Sequence, residues 1–410
     1  MPILQPGTVQ RAGDGAWSDY NPRRLPGRVP VILALMTRST DPAHGGINGR
    51  QVTLGVDRAI MELRRGRAIA IVGEGRTLVV AALEATSEAL LDQLLSASDQ
   101  AFLLVTTERA QAAGLNGEAV GPAAISIRQS SDLDTLRAYG GMAGRRGEFH
   151  SELNVATWAG SKPLAAAGFK LAKAGRLIPA LVGFEVERCD DASVETVRLE
   201  AIRERSDLAR RGLLRISESR LPLTDAENTN IMLFRDEHSD SEHVAVVIGN
   251  PDPGTAVPVR MHSACLTGDV LGSLRCDCGE QLHTAVLRIA ELGSGVLLYL
   301  DHEGRGIGLA NKLRAYSIQD SGLDTLDADR HLGFSADERT YDVAAAMLQD
   351  LGITRIEIMT NNPQKIAALN EHGIDVVGRL PLVASTNAHN EDYLRAKRER
   401  AGHLAEDAGN

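Results

Sequence analysis

The chain of 410 residues contains few cysteines, few aromatic residues and no long apolar run. Four cysteines are present, too few for a disulfide framework. Phe, Trp and Tyr make up 3% of the residues, which argues against a broad stacking platform for single-stranded nucleic acid. No run of about 18 apolar residues occurs, so no membrane span is expected. The start of the chain lacks an apolar stretch of signal-peptide length. These absences predict a cytoplasmic protein.

The overall balance of residues is that of an ordinary globular protein. Apolar residues account for 43% of the chain and the formal net charge is −10. The length suits two or three domains of roughly 100–200 residues each. An acidic chain is expected to avoid nucleic acid and anionic membranes, although one locally basic pocket could still take an anionic nucleotide.

Helix and strand patterns alternate along the chain, which predicts an α/β (α+β) fold. We expect two domains, each a mixed sheet with flanking helices. Residues 1–50, rich in Pro, Gly, Arg and Asp, are predicted to form a mobile leader. The first domain is predicted at residues 51–217 and the second at residues 218–405.

Three of the four cysteines fall within the segment CLTGDVLGSLRCDC, at Cys265, Cys276 and Cys278. Clustered thiolates bind a soft or borderline metal, and zinc is the usual occupant. Three protein ligands leave one coordination position open, which is the catalytic arrangement. Buried thiols acting as small hydrophobes are the alternative, but the flanking Asp, Gly and Arg residues favour an exposed turn. The isolated Cys189 is interpreted as such a hydrophobe.

The motif HEGRGIG, residues 302–308, follows the predicted buried strand GVLLYL. A Gly-rich turn at a strand end exposes backbone N–H groups, and Arg305 adds a fork for a phosphate or a base edge. Glu303 could accept hydrogen bonds from the exocyclic amine and ring N–H of a guanine. A plain solvated turn explains the motif equally well.

Two shorter motifs lie further along the chain. In ADER, residues 336–339, an Asp beside Glu and Arg is commonly a capping arrangement at a helix start. In TNNPQK, residues 360–365, Asn362 is predicted to cap a helix that Pro363 opens. Lys365 would then attract anions to the first turn of that helix, with structural capping alone as the alternative.

Taken together, these segments describe one pocket that offers a metal, cations for phosphates and carboxylates for a base. Arg260, His262 and Arg275 flank the cysteines and could add positive potential, or each could be a surface ion-pair partner. The residues therefore indicate a nucleotide-hydrolysing site, and they do not identify the nucleotide.

Residues 218–405 resemble GTP cyclohydrolase II, because RMHSACLTGDVLGSLRCDCGEQL, HEGRGIGLANKLRAYSIQD, LGFSADER and TNNPQK stand in family order and spacing. The resemblance implies one Zn²⁺ per chain on Cys265, Cys276 and Cys278. It suggests Asp337 as proton acceptor and Arg339 as nucleophile, and it places Tyr316 in the active site. It also implies substrate contacts from Arg260, Met261, His262, Ser263, Ala264, Gln281, Glu303, Gly304, Arg305, Thr325, Thr360 and Lys365.

The implied reaction converts GTP to 2,5-diamino-6-(5-phosphoribosylamino)pyrimidin-4-one with release of formate and pyrophosphate, the first step of riboflavin biosynthesis. The resemblance also implies Mg²⁺ on the GTP phosphates and a homodimer. Three positions depart from the family pattern: Ala264 and Thr340 replace acidic residues, and His302 replaces a frequent Gln. Ala264 and His302 keep open the alternative of a paralogue that acts on another nucleotide. A non-catalytic nucleotide sensor with structural zinc is a further alternative, against which the intact Asp337–Arg339 pair and the three-thiol site argue.

Residues 56–217 more faintly resemble 3,4-dihydroxy-2-butanone 4-phosphate synthase. VDRAIMELRRGRAIAIV and LAAAGFKLAKAGRLIPALVGFEV carry the likeness. The acidic metal-binding run expected after the first strand reads GEGRTLVVAA instead, and the histidine expected before the later segment is missing from KPLAAAG. We expect this half to be a catalytically inactive scaffold that serves as an oligomerisation or regulatory domain.

Overall fold

The computed structural model describes residues 46–115, 121–128, 131–142, 155–189, 191–209, 212–237 and 241–382. The chain divides into two compact units, Met1–Gly45 and Gly46–Asn410, and the described ranges all lie in the second. The predicted leader lies outside them except for residues 46–50, which begin the first helix. None of the helices in these ranges is both long and apolar enough to cross a membrane.

The predicted fold class is confirmed, because the described residues form two seven-stranded sheets with flanking helices. In the first half the elements are α1 (Gly46–Arg64), β1 (Ile69–Gly73), β2 (Arg76–Ala82), α2 (Glu88–Ala97), β3 (Phe102–Val105), α3 (Thr107–Ala112), β4 (Ala123–Ser126), α4 (Leu133–Tyr139), β5 (Val155–Thr157), α5 (Lys162–Ala174), β6 (Ala180–Val186), β7 (Glu195–Arg198) and α6 (Leu199–Ala209). The strand order is β5-β4-β3-β6-β2-β1-β7. All neighbours are antiparallel except β1 and β7.

The second half begins with a strand that crosses the boundary predicted at residues 217/218. Its elements are β8 (Leu213–Arg220), β9 (Thr229–Asp236), β10 (Glu242–Ile248), β11 (Val257–Ser263), α7 (Cys278–Glu291), β12 (Gly295–Leu300), α8 (Leu309–Gln319), α9 (Thr325–His331), α10 (Asp342–Asp350), β13 (Arg355–Met359), α11 (Pro363–Glu371) and β14 (Asp375–Leu380). The segment LLRIS, interpreted from the sequence as the end of the first half, lies in β8 and pairs with β9 in the second sheet.

The second sheet places the ends of three parallel strands side by side. Its order is β14-β13-β11-β12-β10-β9-β8, and β11 pairs in parallel with both β12 and β13. Helix α7 packs on one face through Ala285 and Ile289, and α10 packs on the other through Ala345 and Leu348. Ligands of open α/β sheets bind outside the carboxyl ends of such strands, and three of the four predicted motifs, the cysteine segment, HEGRGIG and TNNPQK, begin there.

Local sequence explains where the helix beside this edge begins. The side chain of Asn362 accepts a hydrogen bond from the Gln364 amide, and Pro363 is the first helical residue of α11. Both features match the predicted cap. The backbone of Thr360 and Asn362 is thereby fixed directly after β13.

One hydrophobic core joins the two halves. Residues of the first sheet, such as Ala81 and Leu103, share a buried cluster with Ile307, Ala315 and Phe334 of the second half. Helices α8 and α9 therefore cover a face of the first sheet, while α1, α5 and α6 cover its other face. Burial of apolar side chains is the dominant favourable term in folding, and here both halves contribute side chains to the same buried cluster. The two halves therefore stabilise each other.

Candidate active site

Three sulfur atoms meet beyond the end of β11. Cys265 follows that strand, Cys276 lies in the loop before α7, and Cys278 is the first residue of α7. Their Sγ atoms all lie within 4.8 Å of one another, and Cys265 Sγ is 3.7 Å from Cys276 Sγ. Zinc–sulfur bonds of about 2.3 Å at tetrahedral angles would hold sulfurs roughly 3.8 Å apart. The predicted ligands are thus brought together at a spacing that fits zinc.

Gly268 lies against the sulfurs and has no room for a side chain. A Cβ atom built there would stand 2.8 Å from Cys276 Sγ and 3.1 Å from Cys265 Sγ. The Gly268 amide donates to Cys265 Sγ at 3.3 Å. The turn Leu266–Val270 therefore wraps the thiol group closely, as a metal-binding loop does.

Lys312 on α8 links the sulfur group to the HEGRGIG turn, and sequence reasoning missed it. Its ammonium donates to Cys265 Sγ at 3.0 Å and to Glu303 Oε1 at 2.7 Å. Hydrogen bonds from Cys276, Cys278 and Lys312 hold the pKa of Cys265 well below its usual value, which favours the thiolate that ligates metals. The available signal was the position of Lys312 one helical turn into the helix that follows the Gly-rich motif.

Glu303 is held by protein donors on both carboxylate oxygens. Oε1 accepts from Lys312, and Oε2 accepts from the Leu266 amide at 2.6 Å. The residues that follow, Gly304 and Arg305, both have φ near +60°, which costs energy for a side chain other than glycine. Such strain is concentrated at functional sites.

Asp269 organises the approach to the first cysteine. Its carboxylate accepts from the Cys265 amide at 2.9 Å and from the Tyr299 hydroxyl at 2.9 Å. His262 Nε2 lies 3.0 Å from Asp269 Oδ1, and its ring stacks on Tyr299. The predicted substrate residue His262 is therefore placed where it supports the metal loop.

The ADER motif forms a loop rather than a helix start, because α10 begins only at Asp342. Arg339 donates from Nε and Nη2 to the two oxygens of Asp337 at 2.8 and 2.6 Å. Burial acts to raise the pKa of Asp337, but the hydrogen bonds and charge of Arg339 outweigh it and hold that pKa below its usual value. The carboxylate is consequently ionised and paired at neutral pH.

The Asp337–Arg339 pair reaches the end of β11 through Ser263, whose Oγ accepts from Arg339 Nη1 at 3.2 Å. Tyr341 was not predicted as a site residue. Its hydroxyl is 3.5 Å from Asp337 Oδ2, and its ring lies 5.5 Å from the Arg339 guanidinium carbon and 5.9 Å from Lys365 Nζ. Two predicted site cations, Arg339 and Lys365, thus lie against one aromatic ring.

Several predicted substrate residues are buried and bonded to other protein groups. Arg260 is 6% exposed. Its guanidinium donates to the Met359 carbonyl at 2.8 Å and to Gln281 Oε1 at 2.6 Å. Burial lowers the pKa of Arg260 to about 10. Lys365 donates to the carbonyl of Met261, whose side chain is fully buried. These residues tie β11, β13, α7 and α11 together.

The remaining predicted residues lie around this centre. Tyr316 has Arg275 and Lys312 over its ring, at 5.0 and 5.8 Å. Thr360 accepts from the Asn362 amide at 3.0 Å. Thr325 is half-buried at the start of α9, the helix that carries Asp329, the partner of Arg305 at 3.5 Å.

The two departures nearest the metal loop have simple structural settings. The Ala264 amide donates to the Leu300 carbonyl at 2.8 Å, which continues the pairing of β11 with β12. His302 is buried, with its ring edge-on to His243 and Tyr341. Burial and the positive charges nearby lower the pKa of His302 to about 3, so its ring is neutral.

Comparison with known proteins agrees with this geometry. Residues 214–381 match the family model described as GTP cyclohydrolase II. GTP cyclohydrolase-2 of Azospirillum brasilense is 43% identical over 361 residues, which cover 85% of this chain and 93% of that protein. GTP cyclohydrolase-2 of Xylella fastidiosa (strain 9a5c) is 36% identical and covers 87% of this chain and 88% of its own length.

The second half is matched by shorter relatives as well. GTP cyclohydrolase-2 of Shewanella amazonensis is 53% identical over 171 residues, or 42% of this chain and 83% of that protein. A solved two-domain 3,4-dihydroxy-2-butanone 4-phosphate synthase from A. baumannii aligns with 80% of this chain at 15% identity and a TM-score of 0.28. Likeness at that level assigns no function to the first half. Since a 43%-identical relative is matched along 93% of its length, the chain belongs to the GTP cyclohydrolase II family.

Proposed function

We propose that this protein hydrolyses GTP to 2,5-diamino-6-(5-phosphoribosylamino)pyrimidin-4-one, formate and pyrophosphate, as the first step of riboflavin biosynthesis. One observation carries the proposal. A three-sulfur group and an Asp337–Arg339 ion pair lie at the carboxyl end of the same strand, β11, joined through Ser263. The reaction requires a metal ion that activates water for attack on a carbon atom, and a cation that binds phosphate.

One zinc ion per chain would be held by Cys265, Cys276 and Cys278. When bound, zinc supplies a Lewis acid that activates water for attack on carbon. Lys312 offsets part of the thiolate charge and orients Glu303. A carboxylate oxygen can accept two hydrogen bonds, so Glu303 Oε2 retains capacity for a guanine N–H beside its bond from Leu266.

Cations of the site would bind the triphosphate. Arg305 and Arg339 are planar donors suited to phosphate oxygens, and Lys365, like Arg339, lies against the Tyr341 ring. Asp337, already ionised, accepts two hydrogen bonds from Arg339 and is positioned to take a proton from it. We expect Mg²⁺ to accompany the departing pyrophosphate.

The alternatives predicted from the sequence receive less support. His302 packs against the rings of His243 and Tyr341, so packing within the protein accounts for this departure. A purely sensing protein would have no use for the paired Asp337 and Arg339. The family resemblance supports a homodimer, and reduced thiols at the site suit the cytoplasm.

The test uses the purified full-length chain, loaded with zinc and incubated with GTP and Mg²⁺. Formate and pyrophosphate should be released in equal amounts. Their release should stop when a chelator is added and resume when zinc is added back. A panel of nucleoside triphosphates, scored for formate, separates this function from that of a paralogue. Faster formate release from a nucleotide other than GTP would contradict the assignment.

We further propose that the first half has no synthase activity. The turn after β1 is a tight hairpin with Glu74 and Gly75 at positive φ, and Arg76 pairs with Glu185 at 2.8 Å. The Ser161 amide also donates to Glu185 at 2.9 Å, so a guanidinium neutralises the carboxylate at the strand ends. Incubation of the full chain with ribulose 5-phosphate and Mg²⁺ should yield no product, and robust turnover would refute the proposal.

A further inference from the structure

The end of helix α5, in the first half, contacts a catalytic loop of the second half. Lys173 Nζ donates to Glu338 Oε1 at 2.6 Å, and the ammonium also lies 5.9 Å from the centre of the Phe334 ring. Both side chains of the ion pair are largely shielded, with 27% and 19% exposure. A pair with this geometry and shielding is screened less than a surface pair.

Glu338 lies between Asp337 and Arg339 and holds the loop that carries them. Its Oε1 also accepts from the Ser335 amide and the Ser335 hydroxyl, both at 2.8 Å. Its own amide donates to the Arg305 carbonyl at 3.2 Å. Three donors on one oxygen, plus the link to Arg305, fix the direction of the backbone on either side of Glu338.

A second residue of the same segment supports the HEGRGIG turn. Arg176 pairs with Asp301 at 2.5 Å, and its carbonyl accepts from the Asn311 amide group at 3.0 Å. A Cβ atom on Gly308 would stand 3.2–3.4 Å from the Arg176 side chain. Residues 173–176 therefore contact both loops that bear the predicted phosphate-binding and catalytic groups.

From these contacts we infer that Lys173 is a positioning residue for the reaction in the second half, acting through Glu338 on the Asp337–Arg339 pair. The inference rests on the proposed function for its kinetic consequence. The first half would then serve to position a loop of the second half, without catalysing a reaction itself. Lys173 touches neither reacting atoms nor the sulfur group, so its effect must pass through the position of the loop.

The test compares variants of the zinc-loaded full chain. Lys173→Met keeps the aliphatic stem and removes the charge, while Glu338→Gln keeps an acceptor for Ser335. Each should lower kcat about tenfold, with KM for GTP changed by less than about twofold, because loops displaced by fractions of an ångström lose alignment more than binding. Lys173→Arg should restore at least about half of the rate, and Lys162→Met, at the other end of α5, serves as the matched control.

The double variant decides whether the two residues act as one pair. If they do, the kcat of the double variant Lys173→Met with Glu338→Gln should lie within about twofold of the kcat of either single variant. A product of the two effects, about a hundredfold, would show independent roles and overturn the inference. A Lys173→Arg variant with a kcat as low as that of Lys173→Met would also overturn the inference.

A second measurement does not depend on turnover. Hydrogen exchange followed by mass spectrometry should show faster exchange at residues 335–340 in Lys173→Met than in the wild type, Lys173→Arg or Lys162→Met. Unchanged exchange in that segment overturns the positioning role. If the wild type releases no formate from GTP, the proposed function fails, and the exchange result still decides the inference.

Discussion

Arg109 Nη1 donates to the carbonyl of His331 at 3.0 Å, across a separation of 222 residues in the chain. The same guanidinium donates from Nε to the Tyr139 carbonyl at 2.8 Å. Those carbonyls end α9 and α4, so one buried cation caps two helices that come from different halves. A cation at a helix C-terminus is favourable for the helix dipole.

Replacing Arg109 with Met should destabilise the whole chain. Arg109 is 2% exposed, and its removal takes a hydrogen-bond donor away from each of two carbonyls, those of Tyr139 and His331; a buried polar group that loses its partner costs roughly 1–3 kcal/mol. The thermal midpoint should fall clearly, and Arg128→Met, at an exposed position, should leave it nearly unchanged. Equal midpoints for the two variants would contradict the capping role.

Replacing Cys276 with Ser should remove zinc and formate release together. A hydroxyl is a much poorer ligand than a thiolate for a borderline metal. We expect the zinc content, measured by plasma mass spectrometry, to fall from about one ion per chain towards zero. Cys189→Ser is the matched control and should retain both metal and activity.

Replacing Arg339 with Lys tests whether Arg339 is a covalent nucleophile. The bidentate contact with Asp337 is lost while the positive charge is kept. If Arg339 attacks the α-phosphorus, intact-mass spectrometry of wild-type protein stopped during turnover should show an added guanylyl group. Peptide mapping should place that group at residue 339, and an adduct mapped to any other residue, in the wild type or in Arg339→Lys, would rule out attack by Arg339.

His302 should make the fold sensitive to acid. Its pKa falls from an ordinary value of 6.5 to about 3 on folding, chiefly because it is buried. Below about pH 6.5 the unfolded chain binds a proton that the folded chain does not, so stability decreases as the pH falls towards 3. Proton linkage at this group contributes at most about 1.4 kcal/mol per pH unit.

The comparison with His302→Gln isolates that contribution. Both proteins carry the same thiols, so acid release of metal affects them alike. Thermal midpoints at about pH 7.5 and about pH 5 should differ less in the variant than in the wild type. A variant with the same acid sensitivity would show that His302 is not the group responsible.

Features set by neighbouring residues could be predicted from the sequence. The helix that begins at Pro363, with Asn362 as its cap, was predicted from the short motif TNNPQK and is confirmed. The sulfur group follows from the spacing of three cysteines, because a tight turn brings such positions together. In both cases the residues whose contacts determine the structure lie close together in the sequence.

Contacts between distant segments could not be predicted. Lys173 and Glu338 are separated by 165 residues, and neither lies in a periodic pattern that indicates its partner. The ADER motif was compatible with a helix cap because Asp and Glu favour helix starts, but Asp337 binds Arg339 instead. The sequence pattern predicts a helix near residues 195–211, but residues 195–198 form a strand, β7, that pairs with β1, and helix α6 begins only at Leu199.

Gly268 limits how the metal loop can be redesigned. Any side chain at that position would meet the sulfur atoms, whereas Val270 and Leu271, in the same turn, are each 71% exposed. A fluorescent label or a tethered inhibitor attached at Val270 or Leu271 would sit within a few residues of the reacting centre while leaving the thiols in place. Directed evolution of this enzyme should therefore randomise those two codons and keep glycine at position 268.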